Sequence, residues 1–187
     1  MRFLVLAALC LLALVDPAAA HPGHGGGLAD GFAHPFSGLD HVLAMVAVGL
    51  WAAQLGGRAT WLVPASFVGM MTVGGALGMA GIALPAVELG ILASVLALGG
   101  MVALSVRLPV GLGMALVGVF ALCHGHAHGS EMPLTAGAGA YALGFVAATA
   151  ALHGLGLALG LTLRRGPVMR WSGAGIAAAG LVLLLGA

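Results

Sequence analysis

Charged residues are scarce in this sequence, and lysine is absent from it. Only 6% of the 187 residues are charged and 61% are hydrophobic, whereas roughly a quarter of the residues in soluble domains are charged. The composition therefore predicts a protein that crosses a lipid bilayer several times. Without lysine the chain has neither a Walker A phosphate loop nor a Schiff-base lysine, so no nucleotide is expected. The net charge of +1 is too small to indicate a nucleic-acid partner.

Cysteine is also rare, with two residues in the whole chain. Cys10 lies within residues 1–20, which have the pattern of a signal peptide: a positive start, an apolar run and an A-x-A cleavage site. Cleavage makes His21 the new N-terminus and leaves Cys123 without a partner for an internal disulfide. The alternative is that this segment remains as an uncleaved first helix, and both versions place residue 21 outside.

The rest of the sequence divides into a leader and a membrane domain. Residues 21–35 are a histidine- and glycine-rich periplasmic leader, and residues 36–187 contain six apolar segments. We place these segments at 36–55, 60–80, 86–105, 109–128, 135–163 and 168–187. Each is close to the roughly 20 residues that a helix needs to span the hydrocarbon. The sequence thus predicts an all-α fold, a polytopic bundle of six transmembrane helices that forms one permease domain.

Glycines recur four residues apart within several of these segments. The pairs are Gly74/Gly78, Gly125/Gly129 and Gly156/Gly160. Small residues at this spacing let helices approach closely in lipid. We therefore expect these glycines to serve helix packing.

The placement of charge predicts the orientation of the bundle. The loops on one side carry all the arginines that follow the signal peptide, which are Arg58, Arg107, Arg164, Arg165 and Arg170. The acidic residues Asp30, Asp40, Glu88 and Glu131 lie at or near the other side. Because arginine-rich loops stay in the cytoplasm, we expect an inner-membrane protein whose mature N-terminus is periplasmic.

The stretch "LCHGHAHGSE" at the end of the fourth segment concentrates three histidines and a glutamate. His124, His128 and Glu131 have the spacing i, i+4, i+7, which places them on one helix face. Two histidines at i, i+4 can chelate one divalent metal. His126 is rotated by about 200° and is expected at a helix interface. The alternative is a polar helix end that is hydrogen-bonded to neighbouring helices.

The stretch "HPFSGLDH" at residues 34–41 opens the first segment. His34 precedes a proline, which predicts extended backbone, and Ser37 is a candidate N-cap. Asp40 and His41 then lie about one turn into the helix. A carboxylate at that depth costs roughly 2.5–3.5 kcal/mol unless it is paired or faces water. We therefore predict a site between the first and fourth segments, at their outer ends.

Together the two stretches resemble the motifs of the HupE/UreJ family of nickel/cobalt permeases. These motifs are a histidine, five residues and Asp-His near the first helix, and His-Gly-x-x-His-Gly-x-Glu at the end of a later one. Both match with their spacing intact, and the resemblance covers essentially the whole chain. It implies Ni²⁺ or Co²⁺ as transported substrate, without an organic cofactor, and it carries over six metal residues: His34, Asp40, His41, His124, His128 and Glu131. Family members often have phenylalanine where this chain has Cys123, which adds a thiol near the site.

Four further residues are candidates for accessory roles. His21 and His24 either collect metal at the entrance or do nothing in a disordered leader. His153 lies near the middle of the fifth segment, where an ionisable side chain indicates function. It is a deeper relay ligand, a proton acceptor, or a packing histidine bonded to a backbone carbonyl. Glu88 either attracts cations or only favours the helix N-terminus that it occupies.

The sequence favours a secondary transporter that takes up a divalent transition metal across the lipid bilayer. Imidazole and carboxylate ligands suit Ni²⁺, Co²⁺ or Zn²⁺ better than Ca²⁺ or Mg²⁺. Two alternatives are an intramembrane zinc-dependent hydrolase and a metal-binding accessory subunit that does not transport. A homo-oligomer and the supply of metal to nickel or cobalt enzymes remain open.

Overall fold

The computed structural model describes residues 27–132, 137–163 and 166–186. Within these ranges every regular element is helical, which confirms the all-α prediction. A short helix α1 (Leu28–Ala33) leads into a 3₁₀ turn (His34–Phe36). The longer helices are α2 (Leu39–Leu55), α3 (Ala59–Met79), α4 (Val87–Leu104), α5 (Val110–Glu131), α6 (Ala138–Leu163) and α7 (Pro167–Gly186). The predicted signal peptide, His21 and His24 lie outside the described residues.

Five of these helices, α3 to α7, are long and apolar enough to cross a membrane. The sixth span is shorter than predicted, because α2 has 17 residues and begins at Leu39. It passes the same test only together with the segment Leu28–Phe36, from which it is bent by 86°. Helix α5 instead extends beyond the predicted residue 128 and includes Glu131. The bundle therefore has five to six membrane spans.

The second half of the predicted leader contains the short helix α1. Helix α1 lies against α6 so closely that a Cβ atom at Gly31 would overlap the Tyr141 carbonyl oxygen. In the same way, a Cβ atom at Gly144 would overlap the Leu28 carbonyl oxygen. Gly31 and Gly144 thus permit this close contact between the two helices. The contact places the residues that follow α1 against the end of the bundle.

Two local predictions in the turn between α1 and α2 are also wrong. His34 has helical backbone angles, φ −58° and ψ −45°, instead of extended ones. Ser37 does not cap α2, since its hydroxyl donates to the His34 carbonyl oxygen at 2.7 Å and Gly38 occupies the N-cap position. Pro35 is compatible with the 3₁₀ turn because it lies near the start, where a backbone N–H would have no partner within the turn. Packing of α1 against α6 overrides the local preference of the residue before proline.

The glycine pairs predicted for packing do bring helices together. Gly74 and Gly78 of α3 face the α5 backbone at residues 122–130, and the positions increase together along both helices, so the two helices are parallel. Gly125 and Gly129 of α5 face α3 in return, at Met71 and Gly75. Helices α2 and α6 are also parallel, with Gly156 against the Val46 carbonyl. The start of α2 and the end of α5 lie at the same end of the bundle, where the ring of His41 is 4.7 Å from that of His124.

We expect Gly125→Ala to destabilise the protein by about 1–3 kcal/mol, because the added methyl group would overlap the Met71 carbonyl oxygen and force α3 and α5 apart. The matched control is Gly154→Ala in α6, where an added Cβ meets no atom within 4 Å. The measurement is thermal unfolding of both variants in detergent. Equal stability of the two variants would contradict the proposed role of the glycine contact.

Candidate metal site

The six residues that the two sequence motifs nominate lie at one end of the bundle. His34 comes from the 3₁₀ turn, and Asp40 and His41 come from the first turn of α2. The end of α5 supplies the others, which are His124, His128 and Glu131. The two stretches meet in the fold although more than 80 residues separate them in the sequence.

Four imidazole rings follow one another in a row. The ring centroid of His34 is 4.7 Å from that of His128, and the ring of His128 is 4.3 Å from that of His41. His41 in turn is 4.7 Å from His124. At the other end, the Nε2 atom of His34 lies 3.6 Å from a carboxylate oxygen of Glu131. We call these five residues the histidine row.

Exposure falls along the histidine row from the surface to the interior. The side chain of Glu131 is 62% exposed and that of His34 is 29% exposed. His128 is only 7% exposed, and His124 is completely buried. His41, between His128 and His124, is 9% exposed, so an ion that enters at the carboxylate passes from two water-accessible side chains to three buried ones.

Asp40 determines which nitrogen of His41 is free. Its Oδ1 atom lies 2.8 Å from the Nδ1 atom of His41 and also accepts the His41 backbone N–H at 2.8 Å. A carboxylate accepts hydrogen bonds, so Nδ1 carries the proton and Nε2 keeps its lone pair. Nε2 is buried and has no hydrogen-bond partner among the described residues. This arrangement of carboxylate and imidazole is the one that orients histidine ligands in metal sites.

Ser94 of α4 determines which nitrogen of His124 is free. Its hydroxyl donates to the Ile91 carbonyl oxygen at 2.6 Å, so its only proton is already used. The Ser94 oxygen must then accept the Nε2–H of His124, which lies 2.8 Å away. The Nδ1 atom of His124 is left with a lone pair, buried and without a described partner. Ser94 was not among the predicted site residues, because a single hydroxyl in an apolar segment does not distinguish it in the sequence.

Three residues at the outer end of the row form a group of potential metal ligands. Atoms of His34, His128 and Glu131 lie within 4.8 Å of one another and could hold a metal ion. Both nitrogens of His128 lack partners within the described chain, and its ring lies between those of His34 and His41. A buried polar group without a partner costs roughly 1–3 kcal/mol, so four such histidines in one bundle call for a ligand.

Three aromatic side chains pack against the imidazole rings of the row. The ring of Phe145 is 4.2 Å from that of His128, and the ring of Phe67 is 5.6 Å from that of His124. Tyr141 lies beside His34, with 5.7 Å between ring centroids. These rings keep water away from the nitrogens, which strengthens electrostatic interactions with a bound cation.

The accessory candidates lie outside the row. The Nε2–H of His126 donates to the Ile82 carbonyl oxygen at 2.8 Å, at a helix interface. Cys123 packs against Gly90 of α4, and Glu88 is exposed in the first turn of the same helix. His153 is buried in α6, but neither of its nitrogens has a partner in the described part of the chain. It is therefore not bonded to a backbone carbonyl there.

Sequence comparisons place the chain in a family. A family model described as HupE / UreJ protein matches residues 9–183. Protein HupE of Rhizobium leguminosarum bv. viciae is 50% identical over 183 residues, which is 95% of this chain and 95% of that protein. No solved structure matches the chain. The chain belongs to the HupE/UreJ family, whose members are membrane proteins related to nickel and cobalt transport and are not enzymes.

Proposed function

We propose that the protein is an inner-membrane secondary transporter that takes up Ni²⁺ or Co²⁺ through the histidine row. The observation that carries the proposal is the set of unpaired, buried imidazole nitrogens on two helices that converge at one end of the bundle. Neutral imidazole and carboxylate ligands suit these borderline ions. The family's link to nickel and cobalt transport supports the same substrates.

The gradient of exposure supports an entry path along the row. A hydrated ion first meets Glu131 and His34, where water still reaches the ligands. His128 then replaces further water molecules, because one of its nitrogens lies in reach of the same ion as a nitrogen of His34 and a carboxylate oxygen of Glu131. The free nitrogens of His41 and His124 come next. Since His128 neighbours both His34 and His41, the ion can pass inward without losing all its protein ligands at once.

The charge distribution supports inward movement through the row. Arg58 precedes α3 and Arg107 precedes α5, so both lie at the opposite end of the bundle from Glu131. By the positive-inside rule the arginine end is cytoplasmic and the row opens to the periplasm. An inside-negative potential then favours entry by about 2.3 kcal/mol per charge per 100 mV, and by twice that for a divalent ion.

A metal-binding accessory subunit that does not transport remains the second candidate, because the same row would serve it. The two functions differ in reconstitution, since an accessory subunit binds metal but gives no uptake by itself. We therefore propose to measure uptake of Ni²⁺, Co²⁺ and Zn²⁺ separately in vesicles that contain only this chain.

His128→Ala should lower the uptake of the transported ion at least about tenfold, because the variant loses the ring that links the outer and inner parts of the row. His126→Ala is the matched control, since His126 belongs to the same helix but faces Ile82. Uptake by His128→Ala at the wild-type rate would refute the role of the row. Absence of uptake in the wild type, with metal bound in detergent, would favour the accessory function.

Ser94→Ala should weaken Co²⁺ binding in detergent by about 10- to 100-fold, because it removes the acceptor that holds the proton of His124 on Nε2. The same substitution in a His124→Ala background should have little further effect, since Ser94 acts through that ring. Equal losses in both backgrounds would show that Ser94 does not position His124.

A further inference from the structure

A fourth buried imidazole lies next to the inner end of the histidine row. His153 of α6 is 3% exposed, and both of its nitrogens lack a hydrogen-bond partner among the described residues. The ring of Phe67 stands perpendicular to it, with 5.0 Å between centroids, and the same ring is 5.6 Å from His124. One phenyl ring thus contacts both the last imidazole of the row and His153.

The position of His153 is deeper in the bundle than the row. Its carbonyl oxygen contacts α2 at Gly49, where an added Cβ atom would overlap it. Gly49 lies eight residues after His41, which corresponds to about 12 Å along a helix. Helical side chains lean toward the helix N-terminus, and the N-terminal part of α6 carries Tyr141 beside His34. The imidazole of His153 therefore leans back toward the row.

Two further potential donors lie close to His153. Thr149 precedes it by one turn on the same face of α6 and is completely buried. The Thr149 hydroxyl donates to the sulfur of Met71 at 3.6 Å, which leaves the lone pairs of its oxygen free. Met71 follows Phe67 by one turn of α3. Thr149 and Met71 thus place an oxygen and a sulfur atom in contact about one helical turn from His153, toward the end of the bundle that carries the row.

A packing role does not account for His153. Leucine would fill a similar volume without burying two unpaired nitrogens, which lower the stability of the fold. Residues that lower stability in this way are typical of functional sites. The arrangement also differs from that of His124, because no described serine or carboxylate saturates either nitrogen of His153.

We propose that His153 is an inner metal-binding station for the transported divalent ion, with Phe67 as the barrier between it and the row. This inference rests on the proposed transport function. The ion leaves His124, passes the phenyl ring and is held by His153, with the Thr149 oxygen and the Met71 sulfur as weak additional ligands. Weak binding at this depth suits a transit station, because conduction requires that the ion also leave.

The first test compares His153→Leu with His126→Leu in proteoliposomes and in detergent. His153→Leu should lower Ni²⁺ or Co²⁺ uptake at least tenfold, bind one Co²⁺ fewer than wild type, and melt at the same or a higher temperature. His126→Leu should transport like wild type. Uptake by His153→Leu within twofold of wild type would overturn the inner station, whereas absence of uptake by wild type would count against the transport function itself.

The second test does not depend on transport. His153→Cys in a Cys123→Ser background adds a thiol at the proposed station and removes the native thiol of Cys123, which packs against Gly90 outside the row. Addition of Co²⁺ should produce a thiolate-to-cobalt charge-transfer band, which the Cys123→Ser protein with His153 intact should lack. A folded His153→Cys protein that binds Co²⁺ at the row but shows no such band would overturn the proposal.

Discussion

The close approach of α3 and α5 is the contact on which the arrangement of the histidines depends. Backbone atoms of the two helices touch at Gly74, Gly78, Gly125 and Gly129, where any side chain would push the helices apart. In "HGHAHG" the histidines at 124 and 128 each directly precede one of these glycines. Successive helical residues are rotated by about 100°, so the glycines face α3 while the two histidines face the row. One short stretch therefore provides both the packing contact and the proposed ligands.

The histidine row buries polar nitrogens that lack hydrogen-bond partners, and this costs free energy in one part of an otherwise apolar bundle. Hydrogen bonds within the helices satisfy the backbone, as the bilayer requires. The buried side-chain atoms without partners in the described residues belong to four histidines and to Gln54. Asp40 and Ser94 each hold one proton in place and so leave one lone pair free on His41 and His124. Because these two bonds use the only N–H of each neutral ring, neither ring can donate a hydrogen bond to the lone pair of the other.

The sequence predicted which candidate residues lie near one another, because helical spacing sets the face of a residue and the number of spans sets the end of the bundle. The i, i+4 spacing of His124 and His128 and the even number of spans between the two motifs were enough to bring His41 toward them. Local rules failed in the turn at 34–38, where the contact of α1 with α6 overrides the preference for extended backbone before proline. Ser94 and Phe67 were missed, because each lies on another helix and no spacing in the sequence connects it to the histidines.

The sequence by itself determined that this chain is a polytopic helical membrane protein, which residues are nominated for metal binding, and which family its motifs resemble. These properties follow from composition, hydropathy and spacing, which operate along the chain. Only the tertiary structure decided the order of the rings in the row, the free nitrogen of His41 and of His124, and the place of His153 beside Phe67. The physical reason is that these properties depend on side-chain contacts between helices, and such contacts are set by how closely glycines let the helices approach.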